Sequence, residues 1–470
     1  MSLEDKLYKF LSFYKEMPDW SKRLIATPFR ILPRKYYLGN IYKLFYEEAK
    51  MLEYSSEKRI EEYQWLKTKK LLKSAYETVP YYKETWQKYG INLNQIQSFE
   101  DFSKIIPFVT RDMVQKSPEK FLSDLYSKKD YLKMNSGGST GIPLTLYYLK
   151  SYSRAAEWAH MHLQWNRVGF KIGKRIATLR GDYIGKNRIY SFDPWRNTLI
   201  LSSFNLNKNS ADDYIDLLDK YKIEFINAYP SSLFNLIQLS SFNRRPVSSL
   251  KAILLGSENI IEWQLEKFKE YFETDKLFYW YGHVELCALG GGCELSSNYH
   301  FMPSYSYVEF IPTSKIDSKN EDDKTIEIVG TSFINPLMPL IRYRTQDFGI
   351  ESKQKCPCGR NHKLLKKVIG REQEIAVGLN GERITLTALI FGRHADYFNH
   401  IIKMQVINNA PGKLIVKIVP KVSFSDSHAD EIVNTLSRKE GMPFETKVEI
   451  VDKIETTKRG KHRFFIRTFD

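Results

Sequence analysis

Cysteine is scarce in this chain, with four in 470 residues. That is too few for a disulfide framework at this length and points to a reducing compartment. No run reaches the roughly 20 apolar residues that a membrane span requires. The apolar stretch 414–420 is of strand length and is broken by Lys417. Met1 is followed by Glu4 and Asp5 without an apolar signal-peptide core, so a cytoplasmic location is expected rather than secretion. Internal repeats and low-complexity tracts are missing too. At 42% hydrophobic and 14% aromatic residues, the chain is neither disordered nor fibrous. Acidic residues are in the minority, 55 Asp+Glu against 71 Lys+Arg, which leaves a formal charge of +16. That surplus admits nucleic acid, an anionic membrane surface or polyanionic small molecules as partners. The spacings of RNA-binding modules and zinc fingers are absent, and the basic residues are spread along the chain, so nucleic acid is not expected.

A chain of this length exceeds one ordinary core and predicts at least two domains. Residues 1–80 read as a helical region packed on the main domain, since 41–79 carries apolar positions at helical spacing and stops at Pro80. Within it, 20–37 interleaves Lys22, Arg23, Arg30, Arg34 and Lys35 with Leu24, Ile25, Phe29, Ile31 and Leu32. Such a segment either packs internally or lies on an anionic membrane face as a peripheral anchor. Residues 81–370 read as an α/β domain. Strands are expected at 175–179, 224–228, 250–255, 276–280, 307–311 and 325–329, with helices at 211–220 and 232–240 between the earlier ones. Residues 371–470 form a smaller α+β unit with a hairpin around 408–412, a helix at 426–440 and strands at 447–451 and 464–467.

Three segments carry the chemistry. The first, NSGGSTGIP at 135–143, precedes a strand-like run at 144–148. Gly137, Gly138 and Gly141 free the backbone to approach a phosphate, and Asn135, Ser136, Ser139 and Thr140 add donors. It is not a Walker A loop, because no Gly-Lys-Ser/Thr follows; a polar turn between two strands is the plainer reading. The second, FYWYGHVE at 278–285, is an aromatic strand ending at Gly282 and followed by Glu285, an acid at the carboxyl end of a strand. The third, PLIRYRTQDFG at 339–349, places Asp347 just past an apolar-basic strand, where a carboxylate can hold two ribose hydroxyls. Separately, Cys293, His300, Cys356 and Cys358 make a Cys₃His set that Zn²⁺ accepts tetrahedrally, with Cys287 or His362 as substitute ligands. Four protein ligands close a site, so such a zinc is structural; four ordinary reduced thiols are the alternative.

In this order the segments resemble the adenylate-forming (acyl-activating, AMP-binding) enzyme superfamily, in its branch of phenylacetate–CoA ligases and capsular-polysaccharide proteins. The resemblance starts at VPYYKE (79–84) and IPFVTRD (106–112). It runs through NSGGSTGIP, AYPSSL (228–233), LLGSE (254–258), WYGHVE, IRYRTQD and IGRE (369–372), and ends at RGKHR (459–463). It implies a large AMP-binding domain with layered sheets and helices, and a small mobile α+β C-terminal domain. The implied reaction joins a carboxylic acid to ATP as acyl-AMP, then passes the acyl group to CoA, an amine or a sugar. By the same resemblance Ser136, Gly137, Gly138, Ser139, Thr140 and Gly141 wrap the phosphates, and Glu285 ligates Mg²⁺. Gly256, Ser257, Glu258, Tyr281 and Gly282 line the nucleotide site, with Tyr281 near adenine. Asp347 binds ribose, Arg371 at the interdomain hinge reaches it as well, and Lys461 stabilises the pentavalent phosphate. Relatives with cysteines and a histidine at matching places imply the structural Zn²⁺. The acid's pocket is implied to draw on 158–165, 229–232 and 256–258. Four positions depart from the family pattern: Ile142 replaces a lysine, Val284 a threonine, Gln346 a glycine, and Gln373 the hinge acid. They leave a second reading, a catalytically degenerate fold that binds a nucleotide or glycan as a scaffold.

Overall fold

Helices α1 (Lys35–Leu52), α2 (Glu57–Thr78) and α3 (Pro80–Lys88) open the part of the chain that can be described. The structure, a computed structural model, describes residues 35–135, 144–180, 188–203, 205–258, 262–313, 324–371, 375–379, 383–385, 400–437, 444–455 and 463–469, with isolated positions 17, 21, 184, 260 and 397. The basic segment 20–37 therefore lies almost wholly outside the described residues. The single helical stretch expected over 41–79 is two helices, because the Ser56 hydroxyl accepts the Arg59 N–H at 3.3 Å and caps the start of α2. Pro80 does not end the helical region either. It begins α3, in the first turn where its missing N–H costs nothing.

Short helices α4 (Phe99–Ile105) and α5 (Arg111–Lys116) lead to the antiparallel pair β1 (Tyr131–Asn135) and β2 (Thr145–Leu149), then to α6 (Ser153–Trp165). A mixed sheet follows, built from β3 (Ile176–Leu179), β4 (Tyr190–Asp193), β5 (Thr198–Leu201), α7 (Ala211–Lys220), β6 (Phe225–Ala228), α8 (Pro230–Leu239), β7 (Ala252–Gly256), α9 (Glu262–Phe272) and β8 (Leu277–Gly282). Strands β5, β3, β6, β7 and β8 run parallel in that order. Both faces are covered, and the side chains sort by period two. Ile253 and Leu255 enter the cluster under α7, α8 and α9, while Ala252 and Leu254 join the cluster of α1 and α6. This is why β7 reads as a continuous apolar run, and β3 and β6 as runs broken only by Thr178 and Asn227.

The sheet continues antiparallel through β9 (Leu289–Gly292), β10 (Tyr299–Phe301), β11 (Ser306–Pro312), β12 (Thr325–Ser332), β13 (Tyr343–Glu351) and β14 (Leu364–Arg371), in the order β8-β9-β10-β14-β13-β12-β11. The pair β15 (Ile375–Val377) and β16 (Arg383–Thr385) then precedes a separate four-stranded sheet. That sheet comprises β17 (Ile401–Ala410), β18 (Lys413–Pro420), β19 (Glu445–Ile450) and β20 (Phe465–Arg467), ordered β19-β18-β17-β20 and covered by α10 (Asp426–Ser437). Strand β17 packs against α8, and Trp263 of α9 lies on the small sheet's core. Among the described residues no helix is long and apolar enough to cross a membrane.

Candidate active site

The carboxyl ends of β3, β6, β7 and β8 lie side by side, and each is followed at once by a functional side chain. Arg180, just past β3, donates to Asn227 Oδ1 at 2.9 Å and to the Ser257 hydroxyl, and its guanidinium lies 5.0 Å from the ring centres of both Tyr229 and Trp280. One residue thus ties four strand ends together. Glu258 accepts the Ser231 N–H and hydroxyl, both at 3.0 Å, so its carboxylate caps the first turn of α8. A side chain at Gly256 would sit 2.4 Å from the Trp280 ring, so the strand end requires glycine.

Glu285 follows β8 and is 5% exposed. His283 Nδ1 lies 3.2 Å from its Oε2, Tyr343 OH 3.5 Å from its Oε1, and Arg111 Nη1, from α5, 3.9 Å from Oε1. Asp347 is also buried; the Tyr281 hydroxyl donates to its Oδ2 at 2.7 Å, and its own N–H donates to Thr345 Oγ1 at 3.0 Å. Three strands separate β8 from β13 in the sheet order, yet Tyr281 bridges them. Asp347 does not lie past its strand, as the sequence predicts, but inside β13, which runs on to Glu351. Arg371 is its register partner on β14.

The phosphate-loop residues Ser136, Gly137, Gly138, Ser139, Thr140 and Gly141 lie outside the described residues, as do Ile142, Gln373, Lys461 and the side chain of Arg371. The hairpin that carries the loop is placed: Asn135 faces Thr145, and Tyr148 of β2 donates to the Val284 carbonyl at 2.5 Å, one residue from Glu285. Tyr281, Gly282, Glu285 and Asp347 thus come together, with Gly256, Ser257 and Glu258 on the neighbouring strand end. Sequence reasoning missed Arg180, Arg111 and His283. Each is a polar residue next to an expected strand or inside a quoted motif, but nothing local shows which faces meet.

Behind β9, Cys293, His300, Cys356 and Cys358 converge, with their ligand atoms all within 4.8 Å of one another. Cys293 and Cys356 sulfurs are 3.5 Å apart, and Cys358 Sγ is 3.6 Å from His300 Nε2. Tetrahedral zinc with bonds of about 2.0–2.3 Å sets ligand atoms roughly 3.5–3.8 Å apart, so the donor set fits that ion. Burial, with Arg167 and Arg360 nearby, pushes the His300 pKa down to about 3, which keeps the imidazole neutral and able to ligate. Burial raises Cys293 to about 11, whereas at Cys356 hydrogen bonding from Ser296 and the neighbouring sulfurs outweighs burial and lowers the pKa. Cys287 stands apart, with its thiol on the Glu285 carbonyl at 3.3 Å.

Residues 379–468 match the family model of the CapK C-terminal domain. Phenylacetate–coenzyme A ligase of Thermus thermophilus is 23% identical over 327 residues, spanning 66% of this chain and 69% of that protein. A 2-hydroxyisobutyryl-CoA ligase solved in its postadenylation state with 2-HIB-AMP superposes with a TM-score of 0.67 at 15% identity, over 89% of this chain and 91% of that one. The same ligase with 2-HIB-AMP and CoA, in the thioesterification state, gives 0.55 over the same shares. The fold is therefore that of an adenylate-forming ligase.

Proposed function

We propose that this chain, which resembles the adenylate-forming enzymes of the CapK and phenylacetate–CoA ligase branch in sequence and fold, is an ATP-dependent acid ligase. A carboxylate oxygen of the acid attacks the α-phosphorus of ATP, the bond to the β-phosphate breaks, and pyrophosphate leaves. An acceptor, either CoA or an amine or sugar, then attacks the acyl carbon and AMP leaves. The carrying observation is that two buried carboxylates, Glu285 and Asp347, are held at the carboxyl end of parallel strand β8, Glu285 beside His283 and Asp347 by the Tyr281 hydroxyl, the end of the strands at which open α/β sheets bind ligands. Asp347, fixed by Tyr281, receives the ribose hydroxyls. Glu285, next to the anchored end of the phosphate-loop hairpin, is the hard oxygen donor for Mg²⁺, which neutralises phosphate charge when bound with ATP. Ser136 to Gly141, Arg371 and Lys461 take the phosphate, ribose and transition-state roles that the resemblance implies. The Cys₃His cluster holds a structural Zn²⁺. The CapK match makes a capsular or exopolysaccharide setting the one to examine first.

Val284 and Ile142, each lacking a donor, favour the rival reading of a degenerate nucleotide- or glycan-binding scaffold. A pyrophosphate-release screen with ATP and aryl, fatty, hydroxy and amino acids separates the two. Release with one class supports the ligase; tight ATP binding without release for any acid leaves the scaffold.

A further inference from the structure

We infer that Arg180 is a positioning residue: it holds Ser257 in a strained backbone conformation, and so sets the turn at 256–258 against which ATP binds. The inference rests on the ligase reading only in taking that turn as part of the nucleotide site. Ser257 has φ +66°, in the left-handed region that a residue with a Cβ enters at a cost. Such backbone persists where the surroundings over-determine it, and it gathers at functional sites. Two further left-handed residues, Leu286 and Gln346, adjoin Glu285 and Asp347, as Ser257 adjoins Glu258. Gly256 is the register partner of Trp280. The turn therefore leaves the sheet one residue from Tyr281, whose hydroxyl holds Asp347 Oδ2 at 2.7 Å.

Each residue of the turn is fixed by a different neighbour. Gly256 lies against the Trp280 ring, which leaves no room for a Cβ. Glu258 is held by the Ser231 N–H and hydroxyl, both at 3.0 Å. Between them, the Ser257 hydroxyl accepts from Arg180 Nη2. That donor is itself preorganised. Arg180 Nη1 donates to the buried Asn227 Oδ1 at 2.9 Å, and the guanidinium lies 5.0 Å from the ring centres of both Tyr229 and Trp280. These contacts make Arg180 a brace between strand ends. Without it, Ser257 relaxes towards an ordinary φ, and the backbone N–H and C=O groups of the turn point elsewhere. A nucleotide then has to drive the strained conformation itself, and its affinity falls by the fraction of the population that is no longer preformed.

The discriminating pair is Ser257→Ala against Ser257→Gly. Both delete the hydroxyl that Arg180 holds, and only glycine takes the left-handed turn without cost. Equilibrium binding of ATP with magnesium, the acid withheld, is measured by calorimetry on the full chain. Arg180→Met and Ser257→Ala are each expected to weaken ATP binding about tenfold, the shift that a left-handed penalty produces. Ser257→Gly should stay within about threefold of the parent, and adding Arg180→Met to it should weaken binding by no more than about a further threefold, since no strained residue remains to be held. A role in stability alone would move the melting temperature and would not rank alanine below glycine in affinity. Equal ATP affinity of the alanine and glycine variants, parental affinity in Arg180→Met, or the same loss from Arg180→Met in the parent and in Ser257→Gly overturns the inference. So does a parent that binds no ATP. Pyrophosphate release by the parent with a panel of carboxylic acids reads the ligase assignment separately: the expected affinity ranking without release overturns that assignment and leaves the Arg180 inference standing.

Discussion

Gln346 stands where the family pattern has glycine, and its backbone has φ +59°, the left-handed region that L side chains adopt at a cost of about 1–2 kcal/mol. A glycine would adopt this backbone conformation without that cost. Gln346→Gly is expected to leave stability unchanged or raise it by up to about 1 kcal/mol, because relief of strain is offset by the entropy of the unfolded glycine. Gln346→Val should lose about 1–2 kcal/mol, and thermal unfolding of both variants checks the pair. A glycine variant clearly less stable than the parent would mean the glutamine side chain holds the turn. Four residues earlier Arg342 also has positive φ, +49°, but there Glu309 binds the guanidinium at 3.0 and 2.8 Å and Phe108 lies 4.2 Å from it. His160 offers a second test. It is fully buried, and burial pushes its pKa down to about 4 despite a bond to the Ala156 carbonyl. As pH falls below about 6.5 the unfolded chain takes up this proton and the folded chain does not. Stability is therefore lost between about pH 6.5 and 4, at up to about 1.4 kcal/mol per unit. His160→Gln, which can still reach Ser304, should flatten that slope; an unchanged slope would assign the acid sensitivity elsewhere.

Between elements, the Cys₃His cluster joins the end of β9, strand β10 and the turn before β14, which are sheet neighbours. Zinc bound only by the folded chain adds about 4 kcal/mol when free metal is 1,000 times its Kd. A strong chelator, or Cys358→Ser, should therefore lower the melting temperature by several degrees, and elemental analysis should find one zinc per chain. A metal-free protein with an unchanged melting temperature would leave four reduced thiols. The parallel strands were legible because both faces are buried: Ala252–Gly256 is an unbroken apolar run, and Phe225–Ala228 is broken only by Asn227. Strand β9, LGGG, was not legible, because a glycine run reads as a loop. Its glycines answer a packing demand instead: a side chain at Gly291 would meet Gln164 Oε1 at 1.8 Å, and one at Gly290 the Phe301 ring at 3.3 Å. The same holds for the site. Glu285, Tyr281 and Asp347 sit in recognisable strings, whereas Arg111, Arg180 and His283 matter through contacts that only the folded sheet creates.

At the scale of the whole molecule the proposed chemistry must be divided between two sheets. Asp347 belongs to the large sheet. Lys461 falls in the link between β19 and β20 of the small one, and β20 lies parallel to β17, which packs on α8. The two residues should therefore fail in different ways. Asp347→Ala removes the acceptor that Tyr281 holds in place and should weaken ATP binding about tenfold or more, as the loss of a charged hydrogen bond does. Lys461→Ala should leave ATP binding within about twofold and reduce acyl-adenylate formation by at least about a hundredfold, since its charge is needed only as negative charge develops on the phosphate. Equilibrium ATP binding and single-turnover pyrophosphate release, measured on both variants, give the contrast directly. If the lysine variant forms adenylate at the parental rate, the small sheet does not complete the site. The basic surplus of the chain would then have no catalytic member in its C-terminal part, and the charge that stabilises the developing phosphate would have to come from the large sheet and its loops.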